Sequence, residues 1–320
     1  MTKEKCWEAI AEAHAVMKDQ TNWALCVPSY TRPDFVFGKQ LRRCSKEFLK
    51  SHVFIFVHAD ELESYKARNP DYNYIIVPEE NYGVGYTREF INCWGIANGK
   101  DFVFDWDDDI EHLRFMYAST DRYGDPSTKH NNSADEESDP IFVERLLCYT
   151  AYISAYLFNK YPNLRVGNVR RQHFCGHEYV HRTLAHINKG ATPRQTSIWK
   201  LKDYTPGLYF PEITRWHGDD IISAACTLQN GEDVFSIQQV GYDYVPETKS
   251  TTLRDIDENT ERNHKIHEKE YNDLMTLDIK HYLRISKTYS DGSYMYGDID
   301  WKKFYLRYPE RKGFDLMVGE

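Results

Sequence analysis

The chain has 320 residues, which suits one large α/β domain or two small ones, and its 41% hydrophobic and 28% charged residues are ordinary globular composition. A formal net charge of −9 argues against indiscriminate polyanion binding, and the lack of any 18-residue apolar run excludes a transmembrane helix. The opening MTKEKCWEAIAEAHAVMKD has no apolar signal core, so a cytoplasmic location is expected, and seven scattered cysteines with no C-x-x-C pair read as reduced thiols, not a disulfide or zinc framework.

Trp23 to Val27 is a short apolar run ended by Pro28-Ser29, a buried strand running into a loop. Residues 35–49 have helical spacing, and His52 to Val57 is a second buried strand. Asp60 to Arg68 reads as a helix broken by Asn69-Pro70, and Tyr74 to Val77 is a third strand. Tyr86 to Ala97 is a helix preceded by Gly83 and Gly85 and followed by Gly99; Phe102 to Phe104 is a fourth strand. Such alternation indicates a parallel, helix-covered sheet, and ligands of such sheets bind beyond the carboxyl ends of the strands. Those ends carry Pro28 to Asp34, His58 to Glu61, Pro78 to Gly85 and Asp105 to Asp109. Residues 118–140 form a polar loop, 141–160 a helix, 163–216 short irregular strands, Gly218 to Gln229 a helix, Val234 to Ile237 a strand, and 256–284 a charged surface helix or two.

The charge is unevenly spread. Residues 101–140 hold twelve acidic against three basic side chains, whereas 160–202 hold nine basic against one acidic, with four histidines besides. Within the acidic block, Asp105-Trp106-Asp107-Asp108-Asp109 follows the fourth strand directly. Clustered carboxylates at a buried strand end repel one another unless a cation neutralises them, and oxygen ligands select Mg²⁺ or Mn²⁺, ions that bridge to substrate phosphates.

At this point the chain resembles the GT-A glycosyltransferases. FVFDWDDDI resembles their DxD motif, VPSYTRPD their first nucleotide-binding loop, and NYGVGYTREFI their Gly-rich turn and helix, whose arginine is here Arg88. GLYFPEITRWHGDDIISAACTLQNG resembles the acceptor-side motif at a helix start, with Gly218-Asp219-Asp220 in place of the usual x-Glu-Asp. The resemblance spans roughly residues 22–245 and is strongest to the TET-associated and phage enzymes that glycosylate hydroxymethylated pyrimidines in DNA.

The resemblance implies a mostly parallel nucleotide-binding α/β sheet flanked by helices, with a mixed acceptor-side region and C-terminal helices. It implies one domain over 1–320, divided into a nucleotide-sugar half (22–117), the polar loop (118–140), an acceptor-side half (141–255) and a helical extension (256–320). The implied reaction moves a sugar from a nucleotide-sugar donor, a UDP-sugar foremost, to a hydroxyl with Mn²⁺ or Mg²⁺, in the host cytoplasm if the protein is of phage origin. Asp107 and Asp109 would hold the metal, with a late histidine, His264 or His267. Pro28, Ser29, Tyr30, Arg32, Asp60, Arg88, Asp107 and Asp108 would bind the donor: Tyr30 by stacking on the base, Arg32 or Asp60 on base or ribose, and Arg88 beside the diphosphate. Asp220 is the candidate base, with Asp219 beside it, although either could equally cap the helix. A DNA acceptor would meet Arg165, Arg170, Arg171, Arg182, Lys189 and Arg194. A glycan, a protein or a small molecule is the alternative acceptor.

Two other chemistries compete. His177-Glu178-Tyr179-Val180-His181 matches H-E-x-x-H, the zinc metallohydrolase signature, but Leu184 and Ile187 break its longer form. A strand followed by DxD also marks phosphotransferase-type hydrolases, whose nucleophilic Asp lies on the first strand and not, as here, on the fourth.

Overall fold

The computed structural model describes residues 3–115, 119–120, 126–127, 139–171, 183–190, 195–215, 219–244, 281–288 and 294–319. In chain order these form α1 (Lys3–Met17), β1 (Trp23–Pro28), α2 (Val36–Leu41), α3 (Lys46–His52), β2 (Val53–Val57), α4 (Leu62–Arg68), β3 (Asn73–Ile76), α5 (Val84–Ala97), β4 (Phe102–Trp106) and β5 (Ile110–Phe115). A small pair, β6 (Ser119–Thr120) and β7 (Pro126–Ser127), precedes α6 (Phe142–Lys160), β8 (Leu164–Arg171), β9 (Thr183–Ile187), β10 (Thr196–Lys200), α7 (Asp219–Gln229) and β11 (Asp233–Tyr244). The hairpin β12 (Leu283–Thr288) and β13 (Tyr294–Ile299), then α8 (Trp301–Arg307) and β14 (Phe314–Met317), complete the chain.

One ten-stranded sheet organises the molecule in the order β14-β9-β11-β8-β10-β4-β1-β2-β3, with β5 paired to β11. The half from β3 to β4 is parallel throughout. The other half is mixed: β10 runs antiparallel to both β4 and β8, while β8 and β11 are parallel. This is the expected α/β architecture, and its central strands are apolar because helices cover both faces. Alternate residues of β1 go to opposite cores: Leu25 and Val27 pack with α1, α3 and α6, while Ala24 and Cys26 pack on the other face with Ile91 of α5 and Ile222 of α7.

Three local expectations are corrected. The helix over 35–49 is two helices, because Ser45 caps a fresh one by accepting the Phe48 N–H at 3.2 Å. The strand expected at 234–237 extends over Asp233–Tyr244, since its outer part gains β5 as a partner. The region 256–320 is not a helical extension where it is described: β12, β13 and β14 carry much of it, and β14 pairs with β9 at the sheet edge. The charged helix expected over 256–284 falls mostly outside the described residues. Among those residues, no helix is long and apolar enough to cross a membrane.

Candidate active site

The parallel half directs the carboxyl ends of β1, β2, β3 and β4 to one edge, and the register aligns Cys26 of β1 with Asp105 of β4. Asp107 to Asp109 form the turn between β4 and β5. Each carboxylate there has a different fate.

Asp108 is buried and tied to the loop after β1. The Ser29 hydroxyl donates to its Oδ2 at 2.5 Å and the Arg32 guanidinium to its Oδ1 at 2.6 Å. Burial pushes its carboxyl up to about 6, against the pull of Arg32 and Ser29. Tyr65 of α4 braces the same loop, with its hydroxyl 2.8 Å from the Ser29 oxygen and accepting the Arg32 N–H at 2.9 Å. Thr31 takes a left-handed φ of 59° there, and its N–H reaches Glu61 at 2.7 Å.

Asp107 and Asp105 share Arg88. The guanidinium donates to Asp105 at 2.8 Å and Asp107 at 2.6 Å, and is itself buried. Arg88 therefore backs the acidic turn instead of lying open beside a diphosphate. Asp107 also donates its backbone N–H to the Gln195 carbonyl at 2.8 Å.

Asp109 differs: its Oδ1 is buried and meets no hydrogen-bond partner. Burial first, then the charges of Asp107 and Asp108, raise its carboxyl well above the usual range. A buried acceptor beside two like charges is costly, and a hard cation relieves both the desolvation and the repulsion. The oxygen-only donor set fits Mg²⁺ or Mn²⁺. Among the described residues no group of three His, Cys, Asp or Glu side chains could by itself hold an ion.

The model of the TET-associated glycosyltransferase family matches residues 23–139, the stretch that builds β1 to β5 and this turn. That match covers well under half of the chain and likens this stretch to the glycosyltransferases of that family. A comparison with curated proteins finds no match. Among solved structures, a protein of Desulfovibrio desulfuricans assigned as a nucleotide-diphospho-sugar transferase is 12% identical, with 68% of this chain and 80% of that one covered and a TM-score of 0.35. Mannose-1-phosphate geranyltransferase of Thermus thermophilus is 8% identical, with 70% and 76% covered at 0.35, and a mycobacterial protein is 11% identical, with 91% and 87% covered at 0.39. At these TM-scores the solved structures carry no argument.

The protein also places three aromatic rings at the same edge, two of them unforeseen. Tyr30 follows β1, His58 follows β2, and Tyr82 lies between β3 and α5. His58 and Tyr82 stack at 3.5 Å with planes 7° apart, and Tyr30 leans on His58 at 4.3 Å. Burial lowers the His58 pKa, although Asp60 opposes this, so the ring is neutral near pH 7. Pro28 ends β1, and exposed Asp60 sits in the turn two residues past His58. His58 and Tyr82 fall in segments that the sequence marks as strand ends, but nothing in their spacing predicts that their rings meet.

In the segment expected to face the acceptor, α7 opens at Asp219. Asp220 is half-buried, and its Oδ1 accepts the Ile221 N–H at 2.7 Å. The described residues of the basic segment do not gather into one patch. Arg165, at the start of β8, is buried, donating to Glu232 at 2.8 Å and to the carbonyls of Lys200 and Lys202 at 2.8 and 2.7 Å. That is a structural clamp, which corrects its expected place on an acceptor surface. Lys189 pairs with Asp315 of β14 at 2.8 Å. Arg170 and Arg171 end β8, the first bonded to Gln238 and the second stacked on Tyr244 at 3.9 Å. Arg170 lies five residue steps beyond Arg165 on β8, about 16 Å along the strand. Arg182, Arg194, His264, His267 and the motif at 177–181 lie outside the described residues, as does Gly218.

Proposed function

We propose that this protein is a metal-dependent glycosyltransferase that moves a sugar from a UDP-sugar to a hydroxymethylated pyrimidine in DNA, of phage origin foremost. The observation that carries the metal and donor reading is the turn Asp107–Asp109, where one buried carboxylate oxygen has no partner at the end of a parallel strand. Asp107 and Asp109 would hold the ion, with diphosphate oxygens or water completing its shell, as Mg²⁺ and Mn²⁺ sites commonly arrange. When bound, the ion supplies charge to the leaving diphosphate. Arg88 fixes the two aspartates from behind. Tyr30, His58 and Tyr82 would provide stacking surface for the base, and Asp60 would meet ribose or base, a role favoured over Arg32 because Arg32 is engaged with Asp108.

In the transfer step, the acceptor oxygen bonds to the anomeric carbon while the bond from that carbon to the diphosphate oxygen breaks. The acceptor proton passes to the Asp220 carboxylate if the centre inverts. Support for DNA comes from the TET-associated family match and from Arg170 and Arg171 at the same sheet edge as the aspartate turn. The deciding experiment incubates the protein with UDP-sugars, Mn²⁺ and DNA with or without hydroxymethylcytosine, followed by nucleoside mass analysis. Transfer to a glycan, protein or small molecule with no DNA product would remove the acceptor assignment and leave the donor site standing.

A further inference from the structure

The Gly-rich turn before α5 contains two glycines with different reasons to be glycine. Gly83 has a φ of 111°, a backbone that side chains rarely adopt. Gly85 has no such φ. A Cβ there would lie 2.4 Å from both the carbonyl oxygen and the Oγ1 of Thr214, and 2.8 Å from the Thr214 carbonyl carbon. Real Cβ atoms do not approach backbone so closely, so Thr214 sits where a side chain of residue 85 would be.

Thr214 belongs to the short 3-10 turn Glu212–Arg215, the last described segment before α7 opens at Asp219. Thr214 is fully buried and the turn is internally stiff: the Thr214 N–H and hydroxyl both donate to the Pro211 carbonyl, at 2.8 and 2.7 Å. On the same helix, one turn beyond Gly85, Arg88 grips Asp105 and Asp107. The start of α5 thus touches the aspartate turn through Arg88 and the approach to α7 through Gly85.

We propose that Gly85 is a positioning residue whose missing side chain seats Thr214 and thereby fixes the α7 amino terminus, with Asp220, against the donor-side aspartates. The role of Asp220 rests on the proposed transfer reaction; the seating of α7 does not. A displacement of about 1 Å between reacting groups costs on the order of a hundredfold in rate. The added Cβ would force a shift of that size, because one of its two nearest obstacles is the Thr214 carbonyl oxygen, which is backbone and cannot rotate away.

The test compares full-length wild type, Gly85→Ala, Thr214→Ala and the double variant. Hydrogen exchange is followed at residues 220–223 and at β4, and donor KM and kcat are measured with UDP-glucose, Mn²⁺ and hydroxymethylcytosine DNA. Expected for Gly85→Ala are faster exchange at 220–223 with β4 unchanged, a kcat lower by about a hundredfold and a donor KM within about twofold. Thr214→Ala should partly restore kcat in the double variant, since it removes one of the two 2.4 Å obstacles. If Gly85→Ala does not fold, Thr214→Ala alone must loosen 220–223. Unchanged exchange at 220–223 overturns the proposal, as does a donor KM that worsens in step with the loss of kcat. If wild type transfers nothing, the donor or acceptor reading fails, while the exchange comparison still decides the seating.

Discussion

Replacing Arg88 with Met tests the electrostatic design of the site. Arg88 and Asp105 are both buried, 2.8 Å apart, and Asp107 adds a second bond at 2.6 Å from a more exposed position. Removing the guanidinium leaves Asp105 charged in the core opposite Cys26. Breaking one side of a buried pair costs about 3–5 kcal/mol. For a chain of this size roughly 2 °C is lost per kcal/mol, so calorimetry at neutral pH should show a fall of about 6–10 °C. Asp105→Asn in the same chain removes the stranded charge, so the double variant should regain part of the loss. The reasoning is refuted if Arg88→Met melts within about 2 °C of wild type, or if the two changes simply add.

Asp109→Asn should abolish transfer yet stabilise the metal-free protein. The folded pKa is raised, so the fold favours the protonated acid, and wild type loses stability as pH climbs from about 4 through the raised value. The melting advantage of the variant in EDTA should therefore grow with pH over that window, and a flat difference would contradict the assignment. His58→Ala or Tyr82→Ala should weaken UDP binding by about 1–3 kcal/mol per lost stacking contact; calorimetric titration showing wild-type affinity would remove the aromatic platform. Arg170→Ala with Arg171→Ala should flatten the salt dependence of DNA binding by about one unit per contact. Arg165→Ala should instead lower the melting temperature, through loss of the Glu232 pair and its carbonyl contacts, and leave the salt slope alone.

Much of the parallel half was legible in sequence. WALCV, VFIFV and FVFDW are short apolar runs that only a sheet covered on both faces can bury, and their carboxyl ends point to the site. The acidic turn was legible because its carboxylates are adjacent in the chain. The boundary near residue 45 was missed because the apolar spacing runs through it, while the capping serine acts on only three residues.

The sequence by itself determined the order of strands and helices in the first half, the location of the acidic turn and the resemblance to glycosyltransferases, all of which rest on neighbouring residues. Only the tertiary structure decided which carboxylate is tied and which is available. Asp108 is held by Arg32 from 76 residues away, Asp107 and Asp105 are held by Arg88, and the Asp109 oxygen is left buried without a partner. It also moved Arg165 from surface to clamp and turned Gly85 into a seat for Thr214. In each case the meaning of a residue is set by a partner distant in sequence, and no local pattern of charge or apolarity specifies that partner.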